Sequence, residues 1–164
     1  GGGSVTRAAD VCGDAGDANT FNSTEGVLYA EIAALANNLA FRVLSISDGT
    51  NDNTIKIGYR SDSNAIYVEI KSVSVAQVFL VYTTTDITTF HKVAVKYKEN
   101  DFALWVNGVE VATDTSGTTF SSGTLNKLSF NRGNDVNNFY GNVKQVLTFN
   151  TALSDADLAT LTTI

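Results

Sequence analysis

Apolar and polar residues alternate along most of the chain in short runs, separated by clusters of Asn, Asp, Gly, Ser and Thr. A period of two puts successive side chains on opposite faces of an extended strand. A first run, 26–32, opens after Asn22, Ser23 and Thr24, which favour turns. In the run 41–47, Phe41, Val43 and Ser45 share a face, and Asp48-Gly49 closes it as a turn. Ile55, Ile57 and Tyr59 share a face of the next run. Ile66, Val68 and Ile70 point inward from the one after, which leaves Tyr67 and Glu69 facing away. The longer apolar stretch 75–82 reads as a strand buried on both faces.

The second half is more regular. Val93, Val95 and Tyr97 lie on one face of a strand whose other face shows Lys92, Lys96 and Lys98. After a turn at 99–101, Phe102, Leu104 and Val106 point inward. Asn107-Gly108 then predicts a two-residue hairpin, because both residues tolerate positive φ in a type I′ turn. Residues 109–112 return from that turn, and the segments 125–130 and 139–149 supply further strands around the polar loop 131–138. The ending changes period. Ser154 stands as an N-cap before Asp155 and Asp157, acids that complement the helix dipole, and Leu153, Leu158 and Leu161 can dock on the sheets. The pattern predicts an all-β sandwich of two antiparallel sheets with one short C-terminal helix.

Composition narrows the picture. The 164 residues suit one domain over 5–164, with Gly1 to Ser4 reading as a linker, and the absence of methionine suggests a segment of a longer protein. A hydrophobic fraction of 43% is enough for one buried core. The net charge of −6 disfavours nucleic acid as a partner, and no apolar run is long enough for membrane insertion. Cys12 is the only cysteine, so no internal disulfide or cysteine metal cage is expected.

Candidate chemistry lies in what the alternation leaves outside. Trp105 is out of phase with Phe102, Leu104 and Val106, and so falls on an outer sheet face. It either packs under a covering loop or strand, meets another subunit, or offers a flat platform for a ligand. Tyr67 is out of phase in the same way. In the loop 131–138, Asn131, Arg132 and Asn134 offer amide and guanidinium groups suited to sugar hydroxyls, although an ordinary solvated turn has the same composition. If Trp105 and this loop lie on different surfaces, they are rival sites. Asp48 and Asp52 are oxygen ligands a Ca²⁺ ion could use, without EF-hand spacing, and Asp10, Asp14 and Asp17 form a comparable candidate group. The single histidine, His91, excludes multi-histidine metal sites and reads as structural. The five glutamates form no tight acidic cluster on one strand, and there is no Gly-x-Ser-x-Gly elbow, so catalysis is not expected.

Several runs together resemble a known family. They are His91-Lys92-Val93-Ala94-Val95, Ala103-Leu104-Trp105-Val106-Asn107-Gly108, Phe139-Tyr140-Gly141-Asn142-Val143-Lys144 and Phe149-Asn150-Thr151-Ala152-Leu153-Ser154. Their order and spacing are similar to the second half of a laminin G-like or pentraxin-like domain of the concanavalin A-like lectin/glucanase superfamily. Residues 6–10, 26–31 and 44–50 resemble a version found in bacteriophage tail and virion-associated proteins. The resemblance implies a jelly-roll sandwich that binds a carbohydrate or receptor, such as a cell-surface polysaccharide. The setting it implies is a phage tail fibre or bacterial surface protein, in a virion or at the cell surface, with homo-oligomers formed through the parent protein. A structural domain of a virion protein without a glycan ligand is the alternative. The Glu-x-Asp-x-x-Glu strand motif of the glucanase members is absent.

Overall fold

The computed structural model describes residues 13–164. The linker Gly1 to Ser4, the 6–10 resemblance, Asp10 and Cys12 lie outside the described residues. Among the described residues, ten strands form two antiparallel sheets of five. The first sheet runs β10-β1-β6-β7-β8, with β1 Glu25–Ala34, β6 His91–Lys98, β7 Phe102–Val106, β8 Val109–Asp114 and β10 Gly141–Phe149. The second runs β5-β4-β3-β2-β9, with β2 Arg42–Ser47, β3 Thr54–Tyr59, β4 Ala65–Ser72, β5 Val75–Thr83 and β9 Lys127–Ser129. One helix, α1 Asp155–Thr162, follows the last strand.

The predicted inward faces meet between the sheets. Ile55, Ile57, Tyr59, Ile66, Val68, Ile70, Val93, Val95, Tyr97, Phe102, Leu104 and Val106 all join one continuous core. Burying such side chains is the main favourable term holding the two layers together. The Asn107-Gly108 hairpin forms with φ of 50° and 85°, as a type I′ turn requires. Ser154 caps α1, its hydroxyl accepting a hydrogen bond from the Asp157 amide at 3.2 Å.

One strand departs from the expected pattern. β5 is an edge strand, not one buried on both faces, and Val75, Phe79 and Val81 are exposed while Val78 and Leu80 point into the core. The outward residues are themselves apolar, so the period of two is hidden in the sequence.

Candidate functional site

The two sheets expose very different outer faces. On the first sheet, α1 lies across β6, β7 and β8. Trp105 sits beneath it with Val27, Tyr29, Ala94, Ala103 and Leu158, and Leu153 and Leu161 pack against the same cluster. Trp105 therefore stands on the outer face, as its phase predicted, but is only 7% exposed. Of the alternatives the sequence leaves open, the structure shows the covered one, here by an eight-residue helix that docks through its leucines and not by a ligand. Lys96 ties the cover down, its Nζ lying 2.6 Å from Asp101 and 3.9 Å from Asp155 at the helix start.

Among the described residues no helix packs on the second sheet. Strand register brings Lys56, Glu69 and Phe79 into one row across β3, β4 and β5, with Gly58, Tyr67 and Val81 in the row beside it. These positions share the outer face because residues directly opposite in a ladder point the same way. The loop 131–138 forms one wall. It is pinned over β2 by the Val43 amide donating to the Asn137 carbonyl at 3.0 Å, and by the Ser45 hydroxyl donating to the Asn131 carbonyl at 2.7 Å. This cover explains why Val43, Ser45 and Ser47 are buried although they face away from the core. The result is an open depression of about 260 Å³ lined by aromatic rings, cations and amides.

Tyr67 is the floor of that depression. Its ring meets Phe41 edge-on at 6.3 Å between centroids and Phe79 at 5.7 Å with the planes tilted by 38°. These contacts leave Tyr67 only 4% exposed, whereas Phe41 and Phe79 are 42% and 49% exposed. The accessible aromatic surface thus belongs to the two phenylalanines. The Arg60 guanidinium stacks over Phe79 at 5.1 Å. Beneath, Lys56 is buried and ion-paired with Glu69. Burial pulls the Lys56 pKa down, the Glu69 carboxylate opposes this, and the nearby charges of Lys71 and Arg132 depress it further. Burial pushes the Tyr67 phenol well above its ordinary pKa, with Glu69 adding to the effect and Arg132 and Arg60 opposing it.

Of the predicted ligand residues, the structure brings Tyr67 and Arg132 together in this depression and leaves Trp105 on the opposite sheet. Asn131 is buried, and its side chain is used within its own loop: Oδ1 accepts from the Gly133 amide at 2.7 Å and Nδ2 donates to Asp135 at 3.1 Å. Asn134 is exposed and accepts from Arg132 Nε at 3.4 Å. Phe41, Phe79, Arg60, Lys71 and the Lys56–Glu69 pair were not singled out from sequence. For Phe79 the signal was present, since it is out of phase with Val78 and Leu80.

The Asp48, Asp14 and Asp17 side chains are engaged in local contacts. Asp48 Oδ1 accepts from the Thr50 amide and hydroxyl, and Oδ2 accepts from Asn53 at 2.8 Å. Burial raises the Asp48 pKa, but these donors outweigh it and the net shift is downward. Asp52 is exposed, and its carbonyl accepts from the Ser74 amide. Asp14 pairs with Lys127 at 3.1 Å, and Asp17 caps the turn to Thr20. Among the described residues no three His, Cys, Asp or Glu side chains converge as a metal ion would require. His91 hydrogen-bonds the Thr84 hydroxyl and the Thr89 carbonyl and is buried.

Two antiparallel five-stranded sheets and a short terminal helix define an all-β sandwich of the jelly-roll type. The chain belongs to the concanavalin A-like lectin/glucanases superfamily, whose laminin G-like profile matches residues 15–159. No curated protein sequence matches it. Among solved structures, it is similar to the carbohydrate-binding module CBM40 of the Ruminococcus gnavus IT-sialidase bound to α2,3-sialyllactose. That pair has a TM-score of 0.72 at 18% identity, covering 93% of this chain and 94% of that one. A heptameric SAP-like pentraxin from Limulus polyphemus aligns with a TM-score of 0.69 at 10% identity over 91% of this chain and 73% of that one. Domain 4 of an extracellular arabinanase from Geobacillus stearothermophilus, in complex with arabinotriose, aligns with a TM-score of 0.58 at 13% identity over 90% and 70%. At these identities the likeness establishes the fold.

Proposed function

We propose that the protein is a non-catalytic saccharide-binding module and that the outer face of the β5-β4-β3-β2-β9 sheet is its binding surface. The observation that carries this reading is the exposed pair Phe41 and Phe79 flanking Tyr67, ringed by Arg60, Arg132 and Asn137. Partly exposed phenylalanine rings beside hydrogen-bonding groups suit a pyranose ring, which has an apolar C–H face and a polar edge. The sandwich neighbours solved with sialyllactose and arabinotriose support the same reading. The depression is open, so each site binds weakly and repeated copies strengthen the attachment. The resemblance to phage tail and virion-associated proteins supports a place on a virion or cell surface, with copies brought together by the parent protein.

The test is a glycan array probed with oligomerised protein, with Phe79→Ala and Trp105→Phe alongside. Phe79→Ala is expected to lose about three- to tenfold in affinity, the scale of one aromatic contact, and Trp105→Phe to bind as the parent does. Folded protein that binds no glycan would overturn the proposal and favour a structural role in assembly.

A further inference from the structure

The depression carries a charge opposite to that of the chain. The whole sequence has a net charge of −6, yet Lys56, Arg60, Lys71 and Arg132 line this one surface against a single carboxylate, Glu69. Glu69 is neutralised by Lys56 beneath it. Arg60 is held by Asp62 at 2.7 Å. Lys71 and Arg132 have no carboxylate within ion-pair distance among the described residues, and Arg132 Nε reaches only the Asn134 amide oxygen. Elsewhere the described cations Arg42, Lys92, Lys96, Lys98, Lys127 and Lys144 are each tied to a carboxylate or a backbone carbonyl. The surplus is therefore local.

Unpaired cations that crowd one another raise the energy of the empty site, and an anionic ligand relieves that repulsion. Arginine adds direction, because its planar fork matches the paired oxygens of a carboxylate or sulfate. Phe79 presents its exposed ring in the same depression. From this juxtaposition we infer that the site selects an acidic saccharide, with the sugar ring against Phe79 and a carboxylate or sulfate ester taken by Arg132 and Lys71. The inference rests on the saccharide reading above and narrows it to one charge class.

The experiment compares neutral, carboxylated and sulfated glycans on the array, then titrates each hit and its uncharged parent in solution against the wild type and Arg132→Gln. Acidic glycans are expected to bind at least tenfold more tightly than their neutral parents. Arg132→Gln is expected to reduce that preference severalfold at unchanged melting temperature, and 0.5 M salt to weaken it. A stronger response to carboxylated or to sulfated members assigns the anion. Neutral glycans binding as well as acidic ones would overturn the charge inference while leaving the saccharide reading intact. No glycan binding of any kind would overturn both. An acidic preference unchanged in Arg132→Gln would remove this site as its source.

Discussion

Tyr67 stands directly across the β3–β4 ladder from Gly58, and the backbone beside Gly58 leaves no room for a side chain there. A Cβ at Gly58 would lie 2.1 Å from the Arg42 carbonyl oxygen on β2. The glycine therefore lets β2 and β3 approach closely beside the aromatic floor. Gly58→Ala must push β2 outward, and overpacking of this kind costs about 1–3 kcal/mol. Urea denaturation should show that loss, and the tyrosine fluorescence of the site should change with it. An alanine variant as stable as the parent would mean the strands tolerate the separation.

Trp105 makes the opposite prediction to Phe79. Its ring fills the seam under α1, so Trp105→Ala should cost about 3–5 kcal/mol and loosen the helix. Leu158, fully buried in the same cluster, should cost about 2–5 kcal/mol as Leu158→Ala. Amide exchange of α1 reports both. Unchanged helix protection in either variant would show that the contact does not hold the cover in place.

The β4–β5 hairpin turns on Val73 and Ser74, with φ of 49° and 66°. A β-branched residue is unfavourable in that left-handed region. Asn53 and Asp52 hold the turn by accepting from the Val73 and Ser74 amides at 2.9 and 3.0 Å. Replacing Val73 by Asn and Ser74 by Gly supplies the residues a type I′ turn favours and should add about 1–2 kcal/mol of stability. A double variant no more stable than the parent in thermal melts would contradict the strain.

The same 48–53 loop bears on calcium. Both Asp48 carboxylate oxygens already accept from Thr50 or Asn53, and among the described residues no group of three acidic, His or Cys side chains gathers here. EDTA is expected to leave the melting temperature unchanged, and added Ca²⁺ likewise. A rise of several degrees with Ca²⁺ would require a metal site.

The sequence made the inward faces readable because Ile55, Ile57, Ile66 and Val68 alternate with residues that are not large aliphatics, and the register then follows from neighbouring runs. The helix was readable from Ser154, Asp155 and Asp157. Which outer face stays open was not readable, since it depends on where α1 returns after β10, a long-range packing choice. That choice puts the helix over Trp105, whereas Tyr67, equally out of phase on its strand, is covered only by Phe41 and Phe79. Phe79 was obscured because its outward neighbours on β5 are also apolar. The turn at Val73 and Ser74 carries neither glycine nor asparagine, so local composition gave no sign of it.

Alkaline pH tests the burial of three tyrosines. Burial raises the phenol pKa of Tyr59, Tyr67 and Tyr97 above the ordinary value, and Tyr97 also donates its proton in a hydrogen bond to the Asn22 carbonyl at 2.6 Å. Above about pH 10 the unfolded chain releases these protons first, while the folded chain keeps them. The stabilisation is complete below that pH and is lost as pH rises toward the folded values, by up to about 1.4 kcal/mol per pH unit for each ring. Lys56 acts in the other direction just below pH 10.5, because its folded pKa is lowered and deprotonation there favours the folded state. Three phenols outweigh one ammonium, so the urea midpoint should fall between pH 10 and 11.5, and fall less steeply in Tyr67→Phe. A midpoint that holds level across that range would mean the rings are reached by water in the folded protein.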